Sequence, residues 1–172
     1  YNHYLQAIDS FGNWLAHPKR QIIRTNPFAG IPRRNAEIDI RHQRRALTAE
    51  EFTRVLTAAR NSGISVQCYS GEVRARIYTL SYMTGLRKGE IASLTKESFN
   101  LQAAQPIVTV AAGASKHRRK DVLPLHPQLV AELKDWLSEL GPKDALFPKL
   151  GKRKGWKLIR KDLELAGIHY RT

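Results

Sequence analysis

The string from Thr84 to Leu94 holds the residue types best suited to act on a phosphate. Gly85 is expected to adopt the positive φ that ends one helix. Arg87 then stands at the start of the next helix, with Glu90 one turn further along. A guanidinium group and the amides of a helix N-terminus both favour a phosphate. Taken alone, the string also fits an arginine that is solvated or paired with an acid.

Basic residues dominate the composition. The 172 residues include 29 Lys and Arg against 15 Asp and Glu, a formal net charge of +14. An extended polyanion is the natural partner of such a chain. Counterion release would make this binding steeply dependent on salt and largely independent of sequence. Ribosomal proteins, RNA chaperones and membrane-surface proteins are also basic, so charge alone does not choose among these classes.

Other kinds of site are not predicted. The six histidines lack the paired spacing of metal ligands, and no glycine-rich phosphate loop or nucleophile elbow occurs. We therefore expect no metal and no cofactor. The single Cys68 cannot form an internal disulfide, and no signal peptide or apolar run of membrane-spanning length is present. These features favour a cytoplasmic protein without a membrane partner.

A second basic string lies between two short aliphatic runs, 107–112 and 121–125. The runs predict an antiparallel β-hairpin with a long basic tip. Pro124 has no N–H to give to a ladder, so the second strand should lie at an edge or end there.

Apolar spacing predicts helices on both sides of this hairpin. They are expected from Tyr4 to Leu15, in a short segment before Asn26-Pro27, from a capping box at Thr48–Glu51, from Val73 to Thr84, from Lys88 to Leu94, from Pro127 to Gly141-Pro142, and from Trp156 to Ala166, ended by Gly167. The sequence thus predicts a mainly α fold with one small antiparallel β-sheet, an α+β arrangement. Residues 31–46 are polar and basic without periodicity, which indicates a linker.

The strings resemble the motifs of the tyrosine recombinases, the phage-integrase family of site-specific recombinases. Thr84–Leu94 is similar to the family's first catalytic box, Thr-Gly-Leu-Arg-x-x-Glu-(Ile/Leu)-x-x-Leu, with Arg87 in the place of the first active-site arginine. Ser115–Leu125 is similar to the family's β-hairpin, and Lys116 takes the place of the catalytic lysine. Lys120 is its rival, because the sequence does not fix the hairpin register.

Two further strings agree with the resemblance. Asn2–Leu15 is similar to the last long helix of the family's core-binding domain, and Leu47–Glu51 looks like the opening of the catalytic domain. The resemblance implies that residues 1–30 are the remnant of a helical DNA-clamping domain, that 31–46 are a basic interdomain linker, and that 47–172 are the N-terminal part of an integrase-like catalytic domain.

The resemblance also implies a mechanism. In the family, a tyrosine oxygen attacks a phosphodiester of double-stranded DNA, a covalent 3′-phosphotyrosine forms, and the 5′-hydroxyl leaves. Arg87 would neutralise charge on the phosphate oxygens, and Lys116 would protonate the leaving oxygen. The bond energy is kept in the intermediate, so the chemistry requires neither ATP nor a metal. The complete protein would self-associate on paired DNA sites.

One departure from the family concerns the nucleophile. An ending such as Ala166–Ile168 is followed in the family by a His-x-x-Arg box and the nucleophilic tyrosine, but His169-Tyr170-Arg171 lacks that spacing. We therefore expect a fragment cut before these residues that cannot cleave DNA alone, with its six tyrosines structural or at the surface. The alternatives are a non-enzymatic DNA-binding or architectural protein on the same scaffold and a type IB topoisomerase.

The basic clusters are predicted to line a DNA channel, although a solvated basic face would give the same pattern. The residues expected to contact DNA are Arg44, Arg45, Lys88, Arg118, Arg119, Lys120, Lys152, Arg153 and Lys154. Trp156 lies among these cations and could stack on a sugar or base, but its spacing with Ile159 and Leu163 favours a place in the core.

Overall fold

The structure is a computed structural model that describes residues 1–35, 38 and 45–169. The chain divides between Arg44 and Arg45 into two compact units. Half of the predicted linker, including Arg44, lies outside the described residues. No helix in the described ranges is long and apolar enough to cross a membrane.

The first unit is built on α1, Asn2–Ala16. The helix ends at His17 as predicted, because a residue before a proline is driven out of the helical region. Asn26 packs on α1 at Gly12, where an added Cβ would lie 2.0 Å from the Asn26 Oδ1. Its Nδ2 donates to the backbone oxygen and the carboxylate of Asp9, at 3.1 and 2.8 Å. A larger residue at position 12 would displace this anchor.

The short helix predicted before Asn26-Pro27 is wrong, since residues 22–30 form bends and turns. A segment this short gains too few hydrogen bonds to offset helix nucleation, and Asn26 ties it to α1 instead. The predicted apolar stripe of α1 is largely exposed. Tyr4, Ile8 and Phe11 are 78%, 43% and 57% exposed.

The second unit carries five helices and the sheet within the described residues. The helices are α2 (Ala49–Asn61), α3 (Gly71–Thr84), α4 (Lys88–Ala92), α5 (Pro127–Ser138) and α6 (Gly155–Leu165). Short 3₁₀ turns cover Lys96–Ser98 and Leu150–Lys152. The fold class is therefore confirmed as mainly α with a small antiparallel sheet.

The sheet has the strand order β1 (Phe99–Asn100), β2 (Ile107–Val110) and β3 (Asp121–Pro124), all antiparallel. The predicted hairpin is confirmed, and Pro124 ends β3, which lies at the edge. The two-residue strand β1 was not predicted, because it is too short to show a pattern. β2 buries Val108 and Val110 in the core.

Local signals explain where these helices begin and end. The Thr48 hydroxyl accepts from the Glu51 amide at 3.2 Å, and the Glu51 carboxylate accepts from the Thr48 amide at 3.0 Å, so the predicted capping box is confirmed. Pro127 is the first residue of α5, as expected. Gly85 and Gly167 follow α3 and α6 with φ of +66° and +65°.

A buried ion pair joins α3 to α6. The Arg74 guanidinium donates two hydrogen bonds of 2.8 Å to the Asp162 carboxylate, and both side chains are fully buried. Arg74 also donates to the backbone oxygens of Ile64 and Tyr69, at 2.7 and 3.0 Å. The Tyr78 hydroxyl donates to Asp162 at 2.6 Å, and burial raises the pKa of Tyr78, so that its proton is retained. This network fixes α6 against α3.

Candidate catalytic and nucleic-acid interface

Arg87 occupies the N-cap position of α4, directly after the turn made by Leu86 and the left-handed Gly85. Its backbone N–H donates to Glu90 Oε2 at 2.7 Å, and its Nη1 donates to Glu90 Oε1 at 3.2 Å. The Glu90 side chain is only 7% exposed, whereas that of Arg87 is 60% exposed. Glu90 thus holds both the backbone N–H and one guanidinium nitrogen of Arg87, while most of the arginine side chain faces solvent. A phosphate can take the guanidinium donors that Glu90 does not use.

Lys116 lies in the tip that connects β2 to β3 and is exposed. The preceding Ser115 is buried, and its hydroxyl donates to Asp121 Oδ2 at 2.7 Å. Its backbone oxygen accepts from the Arg118 amide at 3.1 Å, and Arg118 has a φ of +54°. Ser115 therefore fixes the base of the tip, and Lys116 follows it immediately.

The two predicted catalytic side chains come from different elements. Arg87 stands at the start of α4, and Lys116 lies in the tip between β2 and β3. Lys120 is also exposed and directly precedes β3. The roles of Arg87 and of either lysine stay predictions.

Lys88 connects α4 to the segment that leads into α6. Its Nζ donates to the backbone oxygens of Gly151 and Arg153, at 3.0 and 2.9 Å. The ammonium group that was predicted to contact DNA therefore holds the neighbouring basic segment in place beside Arg87.

A tight turn at Gln67-Cys68 also holds this segment, and the sequence did not predict it. Both residues have positive φ, of +51° and +74°, as a type I′ turn requires. The Gln67 side-chain amide accepts from the Lys154 N–H at 3.0 Å and donates to the Lys154 backbone oxygen at 2.8 Å. The Tyr69 hydroxyl donates to the Pro148 oxygen at 2.6 Å. Nothing in the sequence signalled the turn, because such turns usually carry Asn-Gly.

The remaining predicted DNA contacts fall into two groups. In the first group the cation already has a partner. Arg45 donates two hydrogen bonds of 2.6 and 2.7 Å to the Glu51 carboxylate. Arg153 Nη2 donates to Cys68 Sγ at 3.3 Å. Arg119 lies 3.7 Å from Asp121 in a looser, exposed pair. The second group is exposed, and the charged ends of its side chains have no hydrogen-bond or ion-pair partner among the described residues; it contains Arg118, Lys120, Lys152 and Lys154.

Trp156 is not in the core, so that expectation is wrong. It is 56% exposed at the second residue of α6. The buried face of this helix consists of Leu158, Asp162 and Leu163. The rest of the predicted face is correct, since Leu163 is buried and Ile159 and Ala166 pack against the core. Trp156 is exposed in the first turn of the helix, and the buried Asp162, paired with Arg74, is the position that apolar spacing could not indicate.

Comparisons with known proteins agree with this architecture. The family model of the Phage integrase family matches residues 45–171. The chain belongs to the phage integrase family, that is, to the tyrosine recombinases. Its fold is similar to that of an integrase from mycobacterium phage Brujita, with a TM-score of 0.52, 19% identity, and coverage of 98% of this chain and 52% of that one.

A second similar structure is a XerA recombinase, with a TM-score of 0.55 and 19% identity over 96% of this chain and 62% of that one. The chain thus spans between about half and three fifths of the length of these two tyrosine recombinases. No curated protein matches it.

Proposed function

We propose that residues 1–172 bind duplex DNA as part of a site-specific tyrosine recombinase. In the complete protein, DNA strands are cut and rejoined through a covalent 3′-phosphotyrosine, and protomers associate on paired DNA sites. Residues 1–172 alone bind without cutting, because the His-x-x-Arg box and the nucleophilic tyrosine, which in the family follow an ending such as Ala166–Ile168, do not follow that ending within these residues.

The observation that carries the proposal is the presentation of Arg87. Its guanidinium is exposed, its base is fixed by a buried carboxylate, and it lies within the part of the chain that matches the family model. A permanently charged, planar group held in this way can stabilise the negative charge that builds up on the phosphate oxygens when a nucleophile attacks. Because the group is oriented beforehand, little reorganisation is needed during the reaction.

Lys116 has the complementary role in the proposal. The departing 5′-oxygen needs a proton, and an ammonium group within reach can supply it. The exposed basic tip of the hairpin is free to approach DNA, and its base is held by the Ser115–Asp121 hydrogen bond. Arg118 and Lys120, in the same tip, would bind the backbone phosphates next to the cleavage site.

The proposal is tested by mixing the 172-residue chain with a labelled duplex and measuring both affinity and covalent attachment. We expect affinity that falls steeply between about 50 and 200 mM salt, as phosphate contacts require, and no adduct after denaturing electrophoresis. An affinity that does not change with salt would refute DNA binding through these cations. A covalent adduct would show that the chain does contain a nucleophile.

A further inference from the structure

The indole of Trp156 contributes little to the packing of α6. More than half of its surface is exposed, at 56%, while Leu158 and Leu163 anchor the helix with 1% and 5% exposure. The Lys157 ammonium lies 5.6 Å from the ring centroid. A large aromatic surface with a cation beside it is therefore presented to solvent.

The charge around this indole is positive and largely unneutralised. From Lys149 to Lys161 the sequence contains basic residues and no acid. Glu164 pairs with Arg160 and Lys161 at 3.0 and 3.7 Å, so the C-terminal end of this tract is partly neutralised. Among the described residues, no acid pairs with the four lysines at the N-terminal end of the tract, Lys149, Lys152, Lys154 and Lys157. An exposed aromatic ring with a cation beside it, within a basic tract, is complementary to a nucleotide, with the base on the ring and its phosphates on the cations.

The backbone just before Trp156 lies next to the element that carries Arg87. A Cβ placed on Gly155 would lie 3.5 Å from Lys88 Cδ, and the Lys88 ammonium binds the two backbone oxygens just before α6. Arg87 and Trp156 are each one residue away from this contact. Arg87 and Trp156 therefore belong to the two segments that the Lys88 side chain joins.

We propose that Trp156 is a stacking platform for an unpaired nucleotide beside the phosphate held by Arg87. In an intact duplex both faces of a base are already covered by its neighbours. A base at a strand break or an unpaired position exposes a face, and stacking on an aromatic ring is then favourable whatever the base is. The inference rests on the proposed function, because the nucleotide that it places on Trp156 is one whose face is exposed when the strand is cut.

The test compares two DNA probes with the 172-residue chain: an intact duplex, and the same duplex with two unpaired nucleotides at its centre. Wild type should bind the second probe about tenfold more tightly, which is within the range known for one stacked base. In Trp156→Ala the ratio of the two affinities should fall close to one, and in Trp156→Phe most of the preference should remain. The fluorescence of 2-aminopurine at the unpaired position should be quenched by wild type and not by Trp156→Ala.

Trp14→Ala is the matched control, because Trp14 is 47% exposed and carries the Arg20 guanidinium 4.4 Å from its ring centroid. It should keep the full preference. A wild-type ratio near one, or a ratio that persists in Trp156→Ala even if both affinities fall, would overturn the inference while leaving DNA binding intact. Loss of salt-dependent binding to both probes would instead overturn the proposed function, and the inference with it.

Discussion

Arg87 and Lys116 are both basic, but we expect them to act differently on the scissile phosphate. Arg87 should stabilise negative charge on its oxygens, and Lys116 should donate a proton to the leaving oxygen. In a protein that contains this chain together with the downstream box and tyrosine, Arg87→Ala should reduce cleavage by about 10² or more, since one preorganised contact to developing charge is lost. Lys116→Ala should also slow cleavage of an ordinary phosphodiester. A substrate with sulfur in place of the bridging 5′-oxygen has a better leaving group that needs little protonation. It should therefore rescue Lys116→Ala and not Arg87→Ala, as measured by the rate of covalent adduct formation.

Lys120→Ala is the control for this assignment, because Lys120 lies in the same exposed tip. Rescue of Lys120→Ala in place of Lys116→Ala would assign the general acid to Lys120. Equal rescue of the lysine and arginine variants would contradict the proposed division of roles altogether.

Some residues could be identified from sequence because they act through local patterns. Arg87 stands in a helix start whose glycine and acid are both visible in the sequence, and Glu90 accounts for its orientation. Trp156 could not be identified in this way. Its spacing with Ile159 and Leu163 predicts a buried position, and the burial of Asp162 against Arg74, far away in the chain, cannot be read from local spacing either.

The start of α2 shows how one ionisable group stabilises an element. The hydrogen bonds from Arg45, followed by that from the Thr48 amide, lower the pKa of Glu51 from 4.5 to about 2. A carboxyl group whose pKa is lower in the folded state than in the unfolded state stabilises the fold at any pH above its unfolded-state pKa. It loses this contribution as the pH falls toward its folded-state pKa. The contribution of Glu51 should thus be complete above about pH 4.5 and decline between about 4.5 and 2.

Glu51→Gln tests this by denaturant unfolding at a series of pH values. The variant should be less stable than wild type at neutral pH, and the difference should shrink as pH falls through that window. Glu139→Gln is the control, since it removes an exposed carboxylate that makes no ion pair with the described residues. A difference for Glu51→Gln that is constant from pH 7 to pH 2 would contradict the role of the charge.

The contact between α3 and α6 should depend strongly on Asp162. Asp162→Asn keeps the shape of the side chain but leaves the buried Arg74 without a counter-charge. Breaking a buried pair in this way costs about 3–5 kcal/mol, which urea unfolding would measure. Glu164→Gln, on the same helix, breaks only exposed pairs and should cost about 0–1 kcal/mol. Similar losses in the two variants would show that burial of the pair does not matter.

The helices that begin and end at strong local signals could be predicted, whereas a turn that depends on a distant contact could not. The box at Thr48, the proline that opens α5 and the glycine after α3 each specify a boundary within a few residues. The turn at Gln67-Cys68 has no such signal. It is held by Lys154, and sequence spacing carries no information about that contact.

Over the whole molecule, a net charge of +14 predicts DNA affinity without saying which cations produce it. The structure separates cations that already have partners, such as Arg45 and Lys88, from exposed ones such as Lys152 and Lys154. Only cations that neutralise phosphates release counterions, each contributing about 0.9 to the slope of log affinity against log salt. The double variant Lys152→Gln, Lys154→Gln should therefore bind duplex DNA more weakly and lower that slope by about 2.

The double variant Lys134→Gln, Lys143→Gln provides the control, because it removes the same charge from exposed positions on and just after α5. The slope is measured by titration at several salt concentrations. If the basic segment before α6 contacts phosphates, the control should keep the wild-type slope, because Lys134 and Lys143 would neutralise no phosphate and so release no counterions. If both double variants lowered the slope equally, the overall charge of the protein would explain DNA binding. The prediction that the segment between Lys149 and Lys157 contacts phosphates would then be wrong.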